Sequence, residues 1–362
     1  MIISTDFPGG NGIIKQLGQN EYTLEPDQRN GTMLWFYWCF KLIEPTDQTY
    51  IFHLQKGCKT AKGFAFSFDQ GLTWEWAKPE AITENTFIFH VLPNTKEVML
   101  SLGMTYTMNN WLQFIKHFKK ATIETLCTTR NGRQSPLLRI KSKENPETKI
   151  IVTARHHCCE MMARYVLEGM IATVFENRKE SLLKNIEFVF IPFVDLDGTE
   201  EGDQGKGRAP HDHNRDYGDI CLYPETPAIK AETNKRKDQQ VLTLDIHCPH
   251  LKGTWNEQVY IVGASSPKHT AFHTSFLSII EDLNDGILPF NQKNILPFGQ
   301  EWNTGTGNSS NSAWNSQQDH VIMSASIEVP YGNAEGQEVN QVSARKLGDV
   351  IIRSSIHFFN TI

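Results

Sequence analysis

The chain has 362 residues, 39% hydrophobic and 21% charged, with a formal net charge of −6. That length and apolar content suffice for a full buried core and exclude a disordered chain. The acidic balance excludes the strong basic excess usual in nucleic-acid binders. No apolar run, Phe188–Val194 included, approaches the ~20 residues a membrane-spanning helix needs. Residues 1–12 lack the basic-then-apolar pattern of a secretory leader. The seven cysteines are odd in number and show no repeated CxxC, which argues against a disulfide scaffold. The expectation is a protein of a reducing, cytoplasmic compartment.

The first third reads as β structure. Met33–Leu42 (MLWFYWCFKL) is aromatic-rich, as strands often are, and Thr49–Leu54 is a second candidate. Phe64–Asp69 and Leu72–Trp76, joined at Gln70–Gly71, read as a hairpin. Phe87–Val91 and Val98–Leu102 flank the turn signal Pro93–Asn94. Short strands separated by turns predict a β-sandwich over residues 1–105.

The pattern changes near residue 105. Asn110–Lys119 has apolar residues at helical spacing. Strands and helices then alternate: strand Lys149–Ala154, helix Glu160–Phe175, strands Ile186–Val194 and Val241–Ile246, helix Lys268–Asp282, strand Val321–Val329 and helix Gln341–Phe359. This alternation predicts an α/β fold over residues 106–362, with a mixed, mainly parallel sheet flanked by helices. Ligands in such folds sit beyond the carboxyl ends of the strands. Asn303–Gln318, rich in Asn, Ser, Gly and Thr, reads as a long loop, a solvated linker or an active-site loop.

The most informative stretch follows strand Lys149–Ala154: Arg155-His156-His157-Cys158-Cys159-Glu160. His157 and Glu160, three apart on a strand-to-helix turn, can aim at one point. His247 ends the strand Val241–Ile246. Two histidines and one glutamate with an open fourth position are a catalytic zinc set. An HxxE pair alone is weak; its strength here is that both histidines lie past the ends of parallel strands. His156 competes as a ligand, but no acid follows it three residues on. Cys158 and Cys159 read as small packed residues. His211, His213 and His250 lie near candidate sites but read more simply as structural.

On these residues the sequence resembles the zinc metallocarboxypeptidases, most closely the cytosolic carboxypeptidase subgroup. His157-Cys-Cys-Glu160 matches the family's HxxE zinc motif, and Ile191–Gly198 looks like its PxxNPDG segment. Asp212-His213-Asn214-Arg215 looks like DxNR, and Leu244–His247 like the strand bearing the third ligand. Ser326–Tyr331 looks like the segment with the catalytic glutamate, here Glu328. Met104–Leu112 resembles the junction that follows the subgroup's β-sandwich.

The resemblance implies one zinc per chain on His157, Glu160 and His247, and hydrolysis of the C-terminal bond of a peptide or protein. It implies Glu328 as general base, Asn214 and Arg215 as the clamp on the terminal carboxylate, and Asp212 orienting His157. No nucleic-acid or membrane partner is expected. The slot for the subgroup's oxyanion arginine is Gly205, so that role falls to Arg208 or Lys206. Asp195 replaces the asparagine of PxxNPDG, and the loop before Glu328 holds no tyrosine, only Trp314. Two other readings remain: a zinc amide hydrolase acting on N-acyl amino acids, and a non-catalytic binding protein of the same fold. An exported chain would make peptidoglycan peptides a variant substrate.

Overall fold

The structure, a computed structural model, describes all residues except 30, 32, 47, 79, 80, 84, 119, 120, 178–182, 306, 308 and 362. The N-terminal region forms two sheets. One joins β1 (Ile2–Ser4), β4 (Cys39–Ile43), β9 (Glu97–Ser101), β6 (Ala65–Ser67) and β7 (Glu75–Trp76). The other joins β2 (Ile13–Gly18), β3 (Glu21–Glu25), β5 (Thr49–Leu54) and β8 (Thr86–His90). Period-two alternation selects the inner face: Tyr50, Phe52 and Leu54 on β5, and Phe87 and Phe89 on β8, are buried. Across the interior, Trp38 stacks on Phe87 at 5.6 Å between ring centroids, and Phe40 meets Phe52 at 5.0 Å. The expected hairpin is the β6–β7 pair.

The Met33–Leu42 run is not one strand. Pairing begins only at Cys39, while Trp35 and Phe36 leave the sheet and pack edge-on against His250, at 5.6 and 5.2 Å. Burying these rings against the following α/β region outweighs their strand propensity.

Beyond α1 (Met108–Ile115) an eight-stranded sheet runs in the order β10 (Thr122–Thr128), β11 (Gln134–Ile140), β13 (Ile186–Ile191), β12 (Thr148–Ala154), β14 (Gln240–His247), β17 (Val321–Glu328), β15 (Tyr260–Val262), β16 (Ile295–Leu296). The central four, β13, β12, β14 and β17, are parallel. The expected helix over Asn110–Lys119 begins earlier and ends at Ile115; Lys119 lies outside the described residues. Helix α2 (Met162–Asn177) begins two residues past Glu160, which leaves that carboxylate in the turn. A short helix, α6 (Asn311–Asn315), interrupts the expected loop 303–318.

Both sheet faces are covered. Val152, Leu244 and Ile327 join a cluster with α2 and α7 (Gln341–Thr361), and that cluster continues into the N-terminal sandwich. Ile151, Val189 and Val241 pack on the other face with Ile229 of α4 (Glu225–Thr233). Helices α2 and α7 approach so closely that a Cβ on Gly169 would lie 1.9 Å from the Arg345 carbonyl oxygen, and one on Gly348 2.0 Å from that of Val166.

Gly348→Ala must therefore separate the two helices. It is expected to lower stability by about 1–3 kcal/mol, as overpacking does, read as an earlier urea midpoint. Val342→Ala, at an exposed position of the same helix, is expected to stay within about 0.5 kcal/mol. Equal midpoints for the two variants would contradict the close crossing.

Candidate active site

Parallel pairing aligns the strand ends that carry the site. Ala154 lies opposite Ile246, and His247 opposite Glu328. After β12, Arg155 takes a left-handed conformation, φ +65°, and turns the chain away from the sheet. Its guanidinium donates to the Tyr106 and Cys158 carbonyls. The Glu160 N–H then donates to the His157 carbonyl at 3.1 Å and closes the turn before α2.

His157, Glu160 and His247 converge, all buried, with one donor atom from each within 4.8 Å of the others. Glu160 Oε1 lies 2.7 Å from His157 Nδ1, and Oε2 lies 2.8 Å from His247 Nδ1. Burial opposes ionisation of Glu160, but His157 and His247 hold its carboxyl far below the usual range. Burial likewise disfavours a charged His247, yet Asp245 and Glu160 raise it well above an ordinary histidine. Two imidazole nitrogens and a carboxylate, with the far nitrogens fixed by acceptors, suit zinc.

Those acceptors are Asp212, whose Oδ1 is 3.2 Å from His157 Nε2, and Asp245, whose Oδ2 is 2.8 Å from His247 Nε2. Asp245 was not foreseen. It also holds His156, whose Nδ1 lies 2.8 Å from Asp245 Oδ1 and whose Nε2 lies 2.7 Å from the Tyr217 hydroxyl. His156, Asp245 and His247 form a second close group of ligand-type atoms. Both nitrogens of His156 are already engaged, so it backs the first group. Period two along β14 puts Asp245 on the face of His247, the one signal that could have found it.

Glu328 is buried beside this group. Its Oε2 has no hydrogen-bond partner among the described residues, and it lines a cleft of about 380 Å³ with His157, His247, Asn214 and Arg215. Burial pushes its carboxyl up to about 7; His247 opposes the shift and Glu160 adds to it. Asn214 is aimed by the N–H of Asn311, which donates to its Oδ1 at 2.9 Å. Arg215 is exposed, and neither it nor Lys206 forms an ion pair among the described residues.

Arg208 is placed elsewhere. Its Nε is 2.8 Å from Asp195, its Nη1 binds Asp203, and it lines a separate cavity of about 310 Å³. Lys206 lines both cavities. The loop turns at Gly205, φ +87°, where a Cβ would stand 3.0 Å from that of His157. No arginine fits at that position without displacing the His157 turn. Cys158 donates to the Asp203 carbonyl, and Cys159 lies 4.0 Å from the Tyr331 hydroxyl; burial raises both thiols. His211, His213 and His250 stay outside the group: His211 meets the Arg215 carbonyl, His213 stacks on Tyr223, and His250 packs on Trp35 and Phe36.

Residues 108–273, which hold His157, Glu160 and His247, match the family model of the zinc carboxypeptidases, Peptidase_M14. No curated protein matches the chain. Among solved structures, a metallo-carboxypeptidase from Pseudomonas aeruginosa, in complex with (2-guanidinoethylmercapto)succinic acid, superposes with a TM-score of 0.79 at 18% identity, covering 99% of each chain. One from Burkholderia cenocepacia gives 0.79 at 16% identity, again over 99% of each. The carboxypeptidase A of Helicoverpa armigera gives 0.52 at 15% identity, over 71% of this chain and 73% of its own. The chain therefore has the fold of these metallo-carboxypeptidases, N-terminal sheets included, and its residues 108–273 match the zinc carboxypeptidase family. Among the described residues no helix is long and apolar enough to cross a membrane.

Metal uptake is expected to release protons, because His247 must lose its proton to become a ligand. Zinc affinity should then climb as pH rises through the raised His247 value, with the proton release read by a pH indicator in weak buffer. Stability of the metal-free protein should fall as pH rises. Glu328 is charged at increasing cost from its ordinary 4.5 up to about 7, and the His247 contribution is lost as pH rises through its raised value. Uptake without proton release would contradict this arrangement.

Proposed function

We propose that the protein is a zinc carboxypeptidase that hydrolyses the C-terminal bond of a peptide or protein. The observation that carries this reading is the buried His157–Glu160–His247 group opening on the same cleft as the unpartnered Glu328 and as Asn214–Arg215. A bound zinc would polarise the scissile carbonyl and acidify a water. Glu328 takes the proton of that water and returns it to the leaving amine, a role suited to a carboxyl near 7. Asn214 and Arg215 hold the terminal carboxylate, for which a guanidinium gives paired, charge-assisted bonds. Asp212 and Asp245 orient the two imidazoles.

Lys206 replaces Arg208 as the cation facing the developing oxyanion. It is the one that lines the cleft, whereas Arg208 is neutralised by Asp195 and Asp203. In this reading residues 1–105 are a β-sandwich domain and 106–362 the catalytic domain. The sandwich supports the loop that carries Lys206. Asn11 donates to the Gly202 carbonyl at 2.9 Å, and Gln204 bonds the Tyr37 backbone at both ends of its amide. The likeness to the cytosolic subgroup makes cytoplasmic peptides or protein tails the expected substrates.

Glu328→Gln is expected to lower kcat by about 10²–10⁴-fold, with zinc content unchanged. Arg215→Ala is expected to act chiefly on KM, reducing kcat/KM by about 10–100-fold, the worth of a charge-assisted bond. Mass spectrometry of a peptide library reads both. Undiminished trimming from the C-terminus by Glu328→Gln would refute the assignment.

A further inference from the structure

The cleft continues past the metal group, and that extension is chemically one-sided. Its charged lining residues among those described, Lys206, Arg215 and Glu328, stand with His157 and His247. The remainder is uncharged, formed by loop 262–266, residues 298–317 including α6, helix α5 (Pro267–Leu283) and the inner face of β17. Glu328, Ser326 and Ser324 alternate along β17 and so share a face. Each step of two residues moves about 7 Å away from the metal end. A side chain that enters beside Glu328 therefore runs over Ser326 toward Ser324.

Two polar features meet it there. Ser326 Oγ is 3.0 Å from Ser312 Oγ of α6, a hydroxyl pair with capacity left for a further bond. His273, buried on α5, also lines the cleft. Its Nε2 is 2.8 Å from the Ser324 carbonyl oxygen, which can only accept, so Nε2 carries the proton. Nδ1 then presents a lone pair, and it has no partner among the described residues. Burial lowers this ring to about 4, so it stays neutral.

We infer that this extension is the pocket for the substrate's terminal side chain, and that it selects an uncharged side chain carrying a hydrogen-bond donor, a carboxamide above all, with His273 as the specificity-determining residue. The inference rests on the carboxypeptidase reading of the same site. A carboxamide N–H answers the Nδ1 lone pair, and its oxygen accepts from the serine pair. A leucine side chain would strip these groups of water and leave them unpaired. A carboxylate would meet a lone pair with no cation beside it. An ammonium or guanidinium would find no acid on the floor.

The test uses the zinc-loaded full chain with benzoyl-Gly-X peptides, X being Gln, Asn, Leu, Glu or Lys. It is paired with calorimetric binding of free glutamine, leucine, glutamate and lysine. Gln and Asn peptides are expected to exceed the others by about tenfold or more in kcat/KM, the worth of one buried hydrogen bond left unmade. Free glutamine is expected to bind more tightly than the other three amino acids. His273→Phe should erase the Gln-over-Leu advantage through KM, with the zinc content unchanged. His273→Asn, which keeps an acceptor, should retain part of that advantage. Leu, Glu or Lys peptides cleaved as well as Gln would overturn the inference while the carboxypeptidase reading stands. Glutamine-selective binding without any cleavage would overturn the peptidase reading and leave the pocket chemistry standing. Neither cleavage nor binding would sink both.

Discussion

Glu160 is a carboxylate with almost no access to water, wedged between Nδ1 of His157 and Nδ1 of His247. A buried charge needs a partner, and here positive charge must reach it from two sides. Without metal, the raised His247 supplies part of it; with zinc, the ion does. The backing carboxylates follow from the same need. Asp212 and Asp245 hold the outer nitrogens, so each imidazole turns its other nitrogen inward. Metal binding and protonation thus compete for one set of atoms.

The sheet makes this convergence possible. Four parallel strands end at one edge, and three of them, β12, β14 and β17, deliver His157, His247 and Glu328 to the same crevice. The polar groups continue below the metal group. Thr153 pairs with Asp245, Asp245 lies opposite Ser326, and Asn311 of α6 bonds Thr153 at 2.9 Å. α6 is thereby tied to both the metal support and the wall of the cleft. On the other side, the sandwich grips the Gly202–Gln204 turn. The catalytic region and the β region meet through hydrogen bonds as well as through one shared apolar cluster.

Much of this was legible in the sequence, for physical reasons. Buried parallel strands such as Lys149–Ala154 and Val241–Ile246 announce themselves as apolar runs, and strand-end residues follow from them. His157, Glu160, His247 and Glu328 needed only that logic to be brought together. Asp245 was hidden because its partners depend on strand register, which one strand alone does not reveal. Arg208 and Lys206, two residues apart, could not be told apart: the loop between Gly205 and Gly207 bends through positive φ at both glycines, and sequence distance does not say which side chain faces the cleft. His273 sits in an amphipathic helix, where a lone histidine reads as packing. The Met33–Leu42 run misled because its rings are buried against the neighbouring region and not within one strand.

The zinc carboxypeptidase reading depends on His157, Glu160 and His247 being the zinc ligands. Zinc-edge X-ray absorption of the metal-loaded protein, beside His157→Ala and His156→Ala, tests this most directly. The expected result is one zinc held by two imidazole nitrogens at about 2.0–2.1 Å and by oxygen, with no sulfur. That signal should be lost in His157→Ala and survive, with weaker affinity, in His156→Ala. A sulfur shell from Cys158 or Cys159, or zinc lost from His156→Ala but kept by His157→Ala, would contradict the assignment.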